Sequence, residues 1–432
     1  MSGARQAGRT ELMGLRHHRV HMILVSFEGP DAYAMAGGLG QRVSTLSAEL
    51  ATMGVDTDLF FVGDPDLPGE ESQFDGRLRL HRWCQWISRY HPEGVYEAEE
   101  DKRRDLLASL PAALVALAAE DVRRGRPYGM LFEDWQCASL ALKAHRSLVG
   151  AGLAEPHMGR VGHNTNTLMQ VTRADLPTLF EEIRLFTVSR FMKHALWNFG
   201  VNPTVVPNGL ARTAFDPPDG EMVRYLTMLR SMGRTVLVKV ARFDPDKAWL
   251  AAIESIRLLR DRGDRPLLIM RGGVEGHSHE VLRRVDALGL RILDWQDGMR
   301  LPQADALDGV DIVHVRARLA DETLRALYAG ADVVLAQSAI EPFGLVGLEV
   351  MAQGGIVMTG ATGEDYARHR RNALVAETGS PAEIARMTEL VTGPGSARFR
   401  RLLAREGLAT ARTYTWQSIV PELIERLLGE RG

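Results

Sequence analysis

The feature that most constrains this chain is the regular alternation of short apolar runs with longer stretches of helical periodicity. The run from Val20 to Val25 predicts a buried strand, and a Gly-rich loop follows it. Apolar residues then recur at positions 43, 46, 50 and 53, which is the spacing of one face of a helix. Gly54 ends that helix, and residues 58–62 predict the next strand. Such a β–loop–α–β unit is the beginning of a parallel sheet.

The same rhythm continues along the chain and is interrupted once. Before the interruption, strands are predicted at 128–132, 160–162, 183–188 and 204–206, and helices at 101–119, 138–149 and 191–199. Residues 208–220 are rich in Asn, Gly, Asp and Pro, which indicates a domain junction. After it, strands are predicted at 235–240, 266–270, 311–315, 333–336 and 355–359, and helices at 247–260, 279–288, 321–329 and 345–352. The predicted fold class is therefore α/β, with two Rossmann-like, doubly wound parallel-sheet domains in tandem, residues 19–207 and 208–411.

Composition excludes several classes of protein. The chain has 432 residues, enough for two or three domains, and its 52 basic and 55 acidic residues give a net charge of −3. A dedicated nucleic-acid binder usually has a basic excess, so no nucleic-acid partner is expected. No window holds the 18 apolar residues of a transmembrane helix, so no integral membrane contact is expected.

The termini and the cysteines indicate where the protein works. Residues 1–18 carry several arginines and no apolar core, so we interpret them as a disordered leader rather than a signal peptide. Cys84 and Cys137 are too few for a disulfide framework and lack the spacing of a zinc site. Two isolated thiols fit a reducing compartment, and the sequence therefore predicts a cytoplasmic protein.

A Gly-rich loop follows the first strand. Gly37, Gly38 and Leu39 stand between that strand and the first helix. Glycines at this place let backbone N–H groups approach an anion, and the helix N-terminus adds a partial positive charge. The alternative is an ordinary tight turn between a strand and a helix.

Two cations and one histidine stand at further strand ends. Arg242 and Lys247 follow the first strand of the second domain, and such a pair suits a diphosphate. The alternative is a pair of solvated surface cations. His163 follows the strand predicted at 160–162 and would face a cleft between the domains; alternatively, it is a hydrogen-bonded structural histidine.

The most specific motif contains two carboxylates separated by seven residues, Glu341 and Glu349. The first precedes a helix and the second lies on it, so the two reach different hydroxyl-bearing groups. The N–H groups of Phe343, Gly344 and Leu345 can face an anion at the start of that helix. The alternative is an acid favoured by the helix dipole together with an ordinary exposed glutamate.

Together these motifs resemble the retaining GT-B glycosyltransferases of the glycosyltransferase 4 family, close to starch and glycogen synthases, sucrose-phosphate synthases and trehalose-forming transferases. The resemblance runs along nearly the whole chain and includes, in order, the residues 37–39, 188–190, 206–209, 242–247, 327–332, 341–349 and 414–416. It implies the GT-B architecture, in which two Rossmann-like domains face each other across a cleft. It also implies that the final helix, at 412–432, crosses back to complete the first, acceptor-binding domain, and that the second domain binds the nucleotide sugar.

The resemblance assigns roles to the motif residues of the second domain. Arg242 and Lys247 would neutralise the donor diphosphate, and Glu341 would hold hydroxyls of the donor sugar. The amides at 343–345 would bind sugar and phosphate, and Glu349 would hold the ribose hydroxyls.

The first domain would contribute two further groups. The loop of Gly37, Gly38 and Leu39 would close on the diphosphate, and His163 would lie beside the donor sugar near its anomeric centre. No protein nucleophile is implied, because the departing phosphate takes the acceptor proton. No metal, pyridoxal phosphate or other cofactor is expected, and the partners are a UDP-, ADP- or GDP-linked sugar and a hydroxyl acceptor such as a sugar, a polysaccharide or a small molecule.

Departures from the family pattern keep other activities open. Ala241 and Ala248 replace common glycines, Trp249 follows, and residues 358–365 lack the usual Gly-Gly pair. The alternatives are a nucleotide-sugar epimerase on the same fold and a non-catalytic sugar-nucleotide binding protein. A phosphorylase would need a pyridoxal-phosphate lysine and a longer chain, and a nicotinamide dehydrogenase would need a dinucleotide fingerprint that is missing. The base, the sugar, the acceptor and the oligomeric state stay open.

Overall fold

The structure is a computed structural model that describes residues 20–154, 158–273, 276–297, 302–303 and 305–429. The leader predicted for residues 1–18 lies outside the described residues. The chain divides into two compact units. The first consists of the described residues up to Ala211 and from Thr415 onward, and the second runs from Arg212 to Tyr414.

The first unit is built on one sheet. Its strands within the described residues are β1 (His21–Val25), β2 (Asp56–Val62), β3 (Glu70–Gln73), β4 (Leu78–Trp83), β5 (Tyr128–Glu133), β6 (Gly159–Thr165), β7 (Arg184–Thr187) and β8 (Thr204–Val205). Their order across the sheet is β3-β4-β2-β1-β5-β6-β7-β8. All neighbouring pairs are parallel except β3 and β4. The carboxyl ends of the parallel strands therefore share one edge, where ligands bind in such folds.

Helices cover this sheet. They are α1 (Gly38–Thr52), α2 (Gln85–Ser88), α3 (Glu99–Arg123), α4 (Ala138–Gly150), α5 (Leu176–Glu182), α6 (Arg190–Trp197) and α14 (Trp416–Leu428), numbered in chain order. The last of these comes from the end of the chain. Its Leu427 is fully buried, and a β-carbon at Gly129 or Gly162 would lie within 3 Å of the Leu427 side chain. Glycine at these two strand positions therefore makes room for α14.

The second unit repeats the plan. Its strands are β9 (Thr235–Val240), β10 (Pro266–Arg271), β11 (Ile292–Trp295), β12 (Ile312–Val315), β13 (Val333–Leu335), β14 (Val357–Thr359) and β15 (Leu374–Val375). They are parallel, in the order β11-β12-β10-β9-β13-β14-β15. The helices are α7 (Gly220–Ser231), α8 (Trp249–Asp261), α9 (Ser278–Ala287), α10 (Asp321–Gly330), α11 (Leu345–Ala352), α12 (Pro381–Thr392) and α13 (Ala397–Ala411).

The central strands of both sheets lie where the apolar runs predict them, and the peripheral elements differ. Leu78 and Leu80 are buried in β4, whereas Arg79 between them is exposed, so β4 has no continuous apolar run. Strand β6 is longer than predicted, because the polar side chains from His163 to Thr165 are buried and hydrogen-bonded within it. None of the described helices has both the length and the apolar character needed to cross a membrane.

Candidate functional site

Two motif residues of the second unit meet directly. The Nζ of Lys247 donates to the Oε2 of Glu341 at 2.6 Å. Lys247 ends a 3₁₀ turn (Pro245–Lys247) that follows β9, and Asp244 caps this turn by accepting from the Asp246 amide. Glu341 lies in the loop after β13, which pairs with β9. The two residues are neighbours because the carboxyl ends of adjacent parallel strands share one edge of the sheet.

The segment that departs from the family pattern supports Glu341. The Glu341 amide donates to Thr362 Oγ1 at 2.9 Å, and the Gly363 amide donates to the Glu341 carbonyl at 2.8 Å. A β-carbon at Gly363 would lie 2.1 Å from the Pro342 carbonyl oxygen, so this glycine is required for the close approach. The Ser338 hydroxyl also donates to Glu341 Oε2, at 3.1 Å.

Helix α11 begins beside this carboxylate. Gly344 precedes it with a φ of +80°, and no side chain of the described residues caps it. The N–H groups of the first helical turn have no acceptor within the helix and carry a partial positive charge. The Phe343 ring is buried against Tyr366 and Tyr414, with ring centroids 5.9 and 6.3 Å apart. Phe343 and Gly344 thus lie directly before α11 and Leu345 begins it, while the Phe343 side chain belongs to the core.

Glu349 and Arg242 lie at the same edge with looser contacts. The Tyr328 hydroxyl donates to Glu349 Oε2 at 3.5 Å, and burial raises the pKa of Glu349. The Arg242 side chain is 56% exposed, and its Nη2 lies 3.9 Å from Oδ2 of Asp244. Arg242 is thus oriented toward solvent rather than paired with Glu341.

The structure gives Ala248 and Trp249, the two residues after Lys247, distinct structural roles. Trp249 is fully buried, and its Nε1 donates to the Arg242 carbonyl at 2.8 Å, so it packs in the core and holds the loop that carries Arg242. Ala248 has a φ of +51° and a ψ of +39°, the left-handed conformation that glycine adopts without a steric cost.

Two ionisable groups near the pair were not predicted from the sequence. Lys239 is 1% exposed within β9, and burial together with Lys247 lowers its pKa to about 7. Glu364 is 6% exposed, and burial together with Glu341 raises its pKa to about 7. The signal for Lys239 was present in the sequence as a lysine inside an apolar strand.

In the first unit, the Gly-rich loop encloses an internal carboxylate. Glu28 Oε2 accepts from the amides of Ala36, Gly37 and Gly40 at 3.2, 2.9 and 2.9 Å. A β-carbon at Gly40 would lie 2.9 Å from Glu28, whereas a β-carbon at Gly37 or Gly38 would meet no atom of the described residues within 4 Å. Neither Gly37 nor Gly38 has a positive φ. Packing therefore requires glycine at 40 but not at 37 or 38, where the open space would allow a ligand to approach.

His163 differs from its prediction. It lies within β6 rather than after a strand end, and it is fully buried. Its Nε2 lies 2.9 Å from the Asp134 carbonyl, and burial lowers its pKa to about 4. The imidazole is therefore neutral at physiological pH and already hydrogen-bonded. The sequence predicts a strand end at 162, but the polar residues that follow are buried and continue the strand.

The described residues contain no cluster of three or more His, Cys, Asp or Glu side chains arranged to hold a metal ion.

Comparison with known proteins identifies the second unit. Residues 229–398 match the family of glycosyl transferases group 1. These residues form a group 1 glycosyltransferase domain. The domain contains both the Lys247–Glu341 pair and the start of α11.

Curated relatives agree with this assignment. A D-inositol 3-phosphate glycosyltransferase of Salinispora tropica is 28% identical over 52% of this chain and 46% of its own length. A glycogen synthase of Thermus caldophilus is 26% identical over 83% of this chain and 90% of its own length. The chain thus spans about half of the inositol-phosphate relative and most of the glycogen synthase.

Solved structures share the fold over both units. The sucrose-phosphate synthase of Thermosynechococcus elongatus superimposes with a TM-score of 0.66 at 20% identity, covering 94% of this chain and 97% of its own. Anabaena HepE, solved with UDP and glucose, has a TM-score of 0.61 at 14% identity, covering 94% and 99%. The prediction of two doubly wound parallel-sheet domains is confirmed.

The conformation of Ala248 predicts an unusual substitution. Ala248→Gly removes the steric cost of a left-handed alanine, about 1 kcal/mol, and is expected to leave the melting temperature unchanged or raise it. The matched control is Ala251→Gly in α8, which should lower stability by about 1 kcal/mol because glycine is unfavourable inside a helix. Thermal unfolding measures both variants. An equal decrease in melting temperature in the two would contradict the steric cost assigned to the left-handed conformation of Ala248.

The buried lysine predicts a pH dependence of stability. In the unfolded chain Lys239 titrates near its ordinary pKa of about 10.4, whereas in the fold its pKa is about 7. Between these values the unfolded chain binds more protons, so the free energy of unfolding rises with pH, by up to about 1.4 kcal/mol per pH unit. The buried lysine lowers the free energy of unfolding most below pH 7, and this penalty disappears as the pH approaches 10. Lys239→Met should lack this rise when urea unfolding is measured at pH 7, 8 and 9; parallel curves would refute the assignment.

Proposed function

We propose that this protein is a glycosyltransferase that moves a hexosyl unit from a UDP-, ADP- or GDP-linked sugar to a hydroxyl acceptor with retention of anomeric configuration. The observation that carries the proposal is the pairing of Lys247 with Glu341 beside the uncapped start of α11. The named activities of the relatives and the UDP and glucose bound to Anabaena HepE support it.

The diphosphate of the donor would bind where positive charge is concentrated. Departure of the sugar leaves negative charge on the diphosphate, and groups that interact with this charge more strongly in the transition state accelerate the reaction. Lys247, the exposed Arg242 side chain and the first amides of α11 supply such groups. Because Lys247 already contacts Glu341, it would bridge the sugar-binding carboxylate and the diphosphate.

The two carboxylates would bind the sugar and the ribose of the donor. Glu341 would accept hydrogen bonds from hydroxyls of the sugar, and the amides of Phe343, Gly344 and Leu345 would bind sugar and phosphate oxygens. Glu349 lies more than one helical turn further along α11, and it would hold the ribose hydroxyls. A carboxylate accepts from both hydroxyls of a vicinal diol, which suits this role.

The chemistry needs no protein nucleophile. The bond between the anomeric carbon and the phosphate oxygen breaks, and the acceptor oxygen bonds to the anomeric carbon on the same face. The acceptor proton passes to the departing phosphate oxygen, so charges and atoms balance. Gly37, Gly38 and Leu39 would contact the diphosphate from the first unit, and the neutral His163 would lie beside the sugar as an uncharged group.

We also propose that the protein is cytoplasmic. Cys84 and Cys137 are both free and buried, and burial raises the pKa of each thiol. Two unpaired thiols are compatible with a cytoplasmic protein.

A binding panel tests the donor class. Thermal unfolding with UDP, ADP, GDP and their glucose conjugates should reveal one preferred nucleotide, because a ligand at 100 times its Kd adds about 2.7 kcal/mol to stability. The preferred donor is then incubated with candidate acceptors, and the product is analysed for a new glycoside and its anomeric configuration. An epimerase would interconvert donor sugars without forming a glycoside, and a non-catalytic binder would do neither.

Removal of the Lys247 side chain should slow turnover strongly. Lys247→Ala is expected to lower kcat about 10²–10³-fold, the usual loss for one group that stabilises transition-state charge. Lys143→Ala, an exposed lysine of the first unit, is the matched control and should leave kcat unchanged. Near-normal activity in Lys247→Ala would remove Lys247 from the mechanism.

The Gly-rich loop offers a sharper comparison. Gly38→Ala should fold normally, because the added methyl group meets open space, yet weaken donor binding by obstructing the diphosphate. Gly40→Ala should instead lower the melting temperature, because its methyl group would contact Glu28. Isothermal titration with the preferred diphosphate separates the two effects, and unchanged affinity in Gly38→Ala would exclude the loop from the site.

A further inference from the structure

Lys239 is an unusual residue for its place in the fold. It lies in β9, the strand in the middle of the second sheet, between apolar neighbours, and only 1% of it is exposed. Burying an ammonium group is unfavourable unless hydrogen bonds and neighbouring charges compensate for the lost water. The groups that contact this ammonium group are therefore the ones that compensate for its burial.

The first contacts are with the loop that carries Glu341. Lys239 Nζ donates to the carbonyl oxygens of Leu335 and Gln337 at 3.2 and 3.1 Å. A planar trans peptide points its N–H away from its carbonyl, so the bond to Gln337 turns the Ser338 amide away from Lys239. The Ser338 hydroxyl then donates to Glu341 Oε2. Lys239 thus sets the direction in which the chain leaves β13 for the sugar-binding carboxylate.

The second contact is with the loop that carries Arg242. Lys239 Nζ lies 5.4 Å from the ring centroid of Trp249, a cation–π distance. The same ring donates its Nε1–H to the Arg242 carbonyl. One ammonium group therefore supports both loops of the candidate donor site.

The two loops also meet next to Lys247. The Ala339 amide donates to the Asp246 carbonyl at 2.7 Å, one residue before Lys247. Among the described residues, the charged groups that act on Lys239 are Lys247 and Glu341. A bound diphosphate would add negative charge to this group and favour the protonated form of Lys239.

We propose that Lys239 is a positioning residue of the donor site, whose ammonium group holds the Glu341 loop and, through Trp249, the Arg242 loop in the arrangement that receives a nucleoside diphosphate. It touches no substrate itself. This inference rests on the proposed function and adds to it a residue outside the family motifs.

The test compares two buried substitutions in the same strand. Lys239→Met removes the ammonium group and keeps an unbranched chain that is one atom shorter, and the Kd for the tightest-binding of UDP, ADP and GDP should rise at least tenfold. Val236→Ala, at the other end of β9, also removes a fully buried group and should lower the melting temperature while leaving that Kd within twofold of the wild-type value. Titration calorimetry well below both melting temperatures gives the two constants.

A pH series separates positioning by a charged group from simple packing. Wild-type affinity should weaken between pH 6.5 and 8.5, as Lys239 loses its proton, and the Kd of Lys239→Met should change less over this range. If Lys239→Met does not fold, Lys239→Gln is measured in the same way, and the same rise in Kd is expected. A melting temperature that falls with no change in Kd would show a merely structural lysine and overturn the inference.

The outcomes also distinguish the two proposals. If the wild-type protein binds none of the three diphosphates, the proposed function fails and this inference fails with it. If the wild-type protein binds one and the Lys239 variants bind it equally well, only the inference is overturned.

Discussion

The hydrogen-bonded ion pair of Lys247 and Glu341 is the contact on which the interpretation of this protein depends. It joins two loops that are 94 residues apart in the chain. Nothing local brings them together; they meet because β9 and β13 are adjacent parallel strands whose carboxyl ends lie at one edge of the sheet. The pair is half-buried, with side-chain exposures of 23% and 18%, so it is shielded from water but still accessible to a ligand.

The groups behind this pair hold it in place. Thr362 and Gly363 bind the backbone of Glu341, and Trp249 binds the backbone of the Arg242 loop. A site for charge development works best when its donors are fixed before the substrate arrives, because little reorganisation is then required. Trp249, Thr362 and Gly363, which belong to the segments that depart from the family pattern, lie in this supporting layer.

The first unit also contains a buried cluster of charged residues, near the edge of its sheet where β1 begins. His21 begins β1, and its ring nitrogens lie 2.5 Å from Asp58 and 2.7 Å from Asp121. Burial disfavours the charged imidazole, but the hydrogen bonds to both carboxylates outweigh it and raise the pKa of His21. Arg79 and His81 bond to the other carboxylate oxygen of Asp58, Oδ1, so the cluster is a paired network and not a surface of free charge.

The spacing of apolar residues was sufficient to predict the central strands and the two-domain α/β class, because this spacing is a local property of each helix and strand. The order of the motifs could also be read directly from the sequence. The same reasoning missed β3, β4, β11 and β15, which lie at or next to a sheet edge. It also ended β6 before His163, because buried polar residues look like a loop in the sequence. Glu28 and Glu364 were also beyond it, and Lys239 was visible only as a lysine inside an apolar strand, with no indication of its partners. Their importance comes from burial and from partners that are distant in the chain, and only the packing of strands and loops in three dimensions brings those partners within hydrogen-bonding distance.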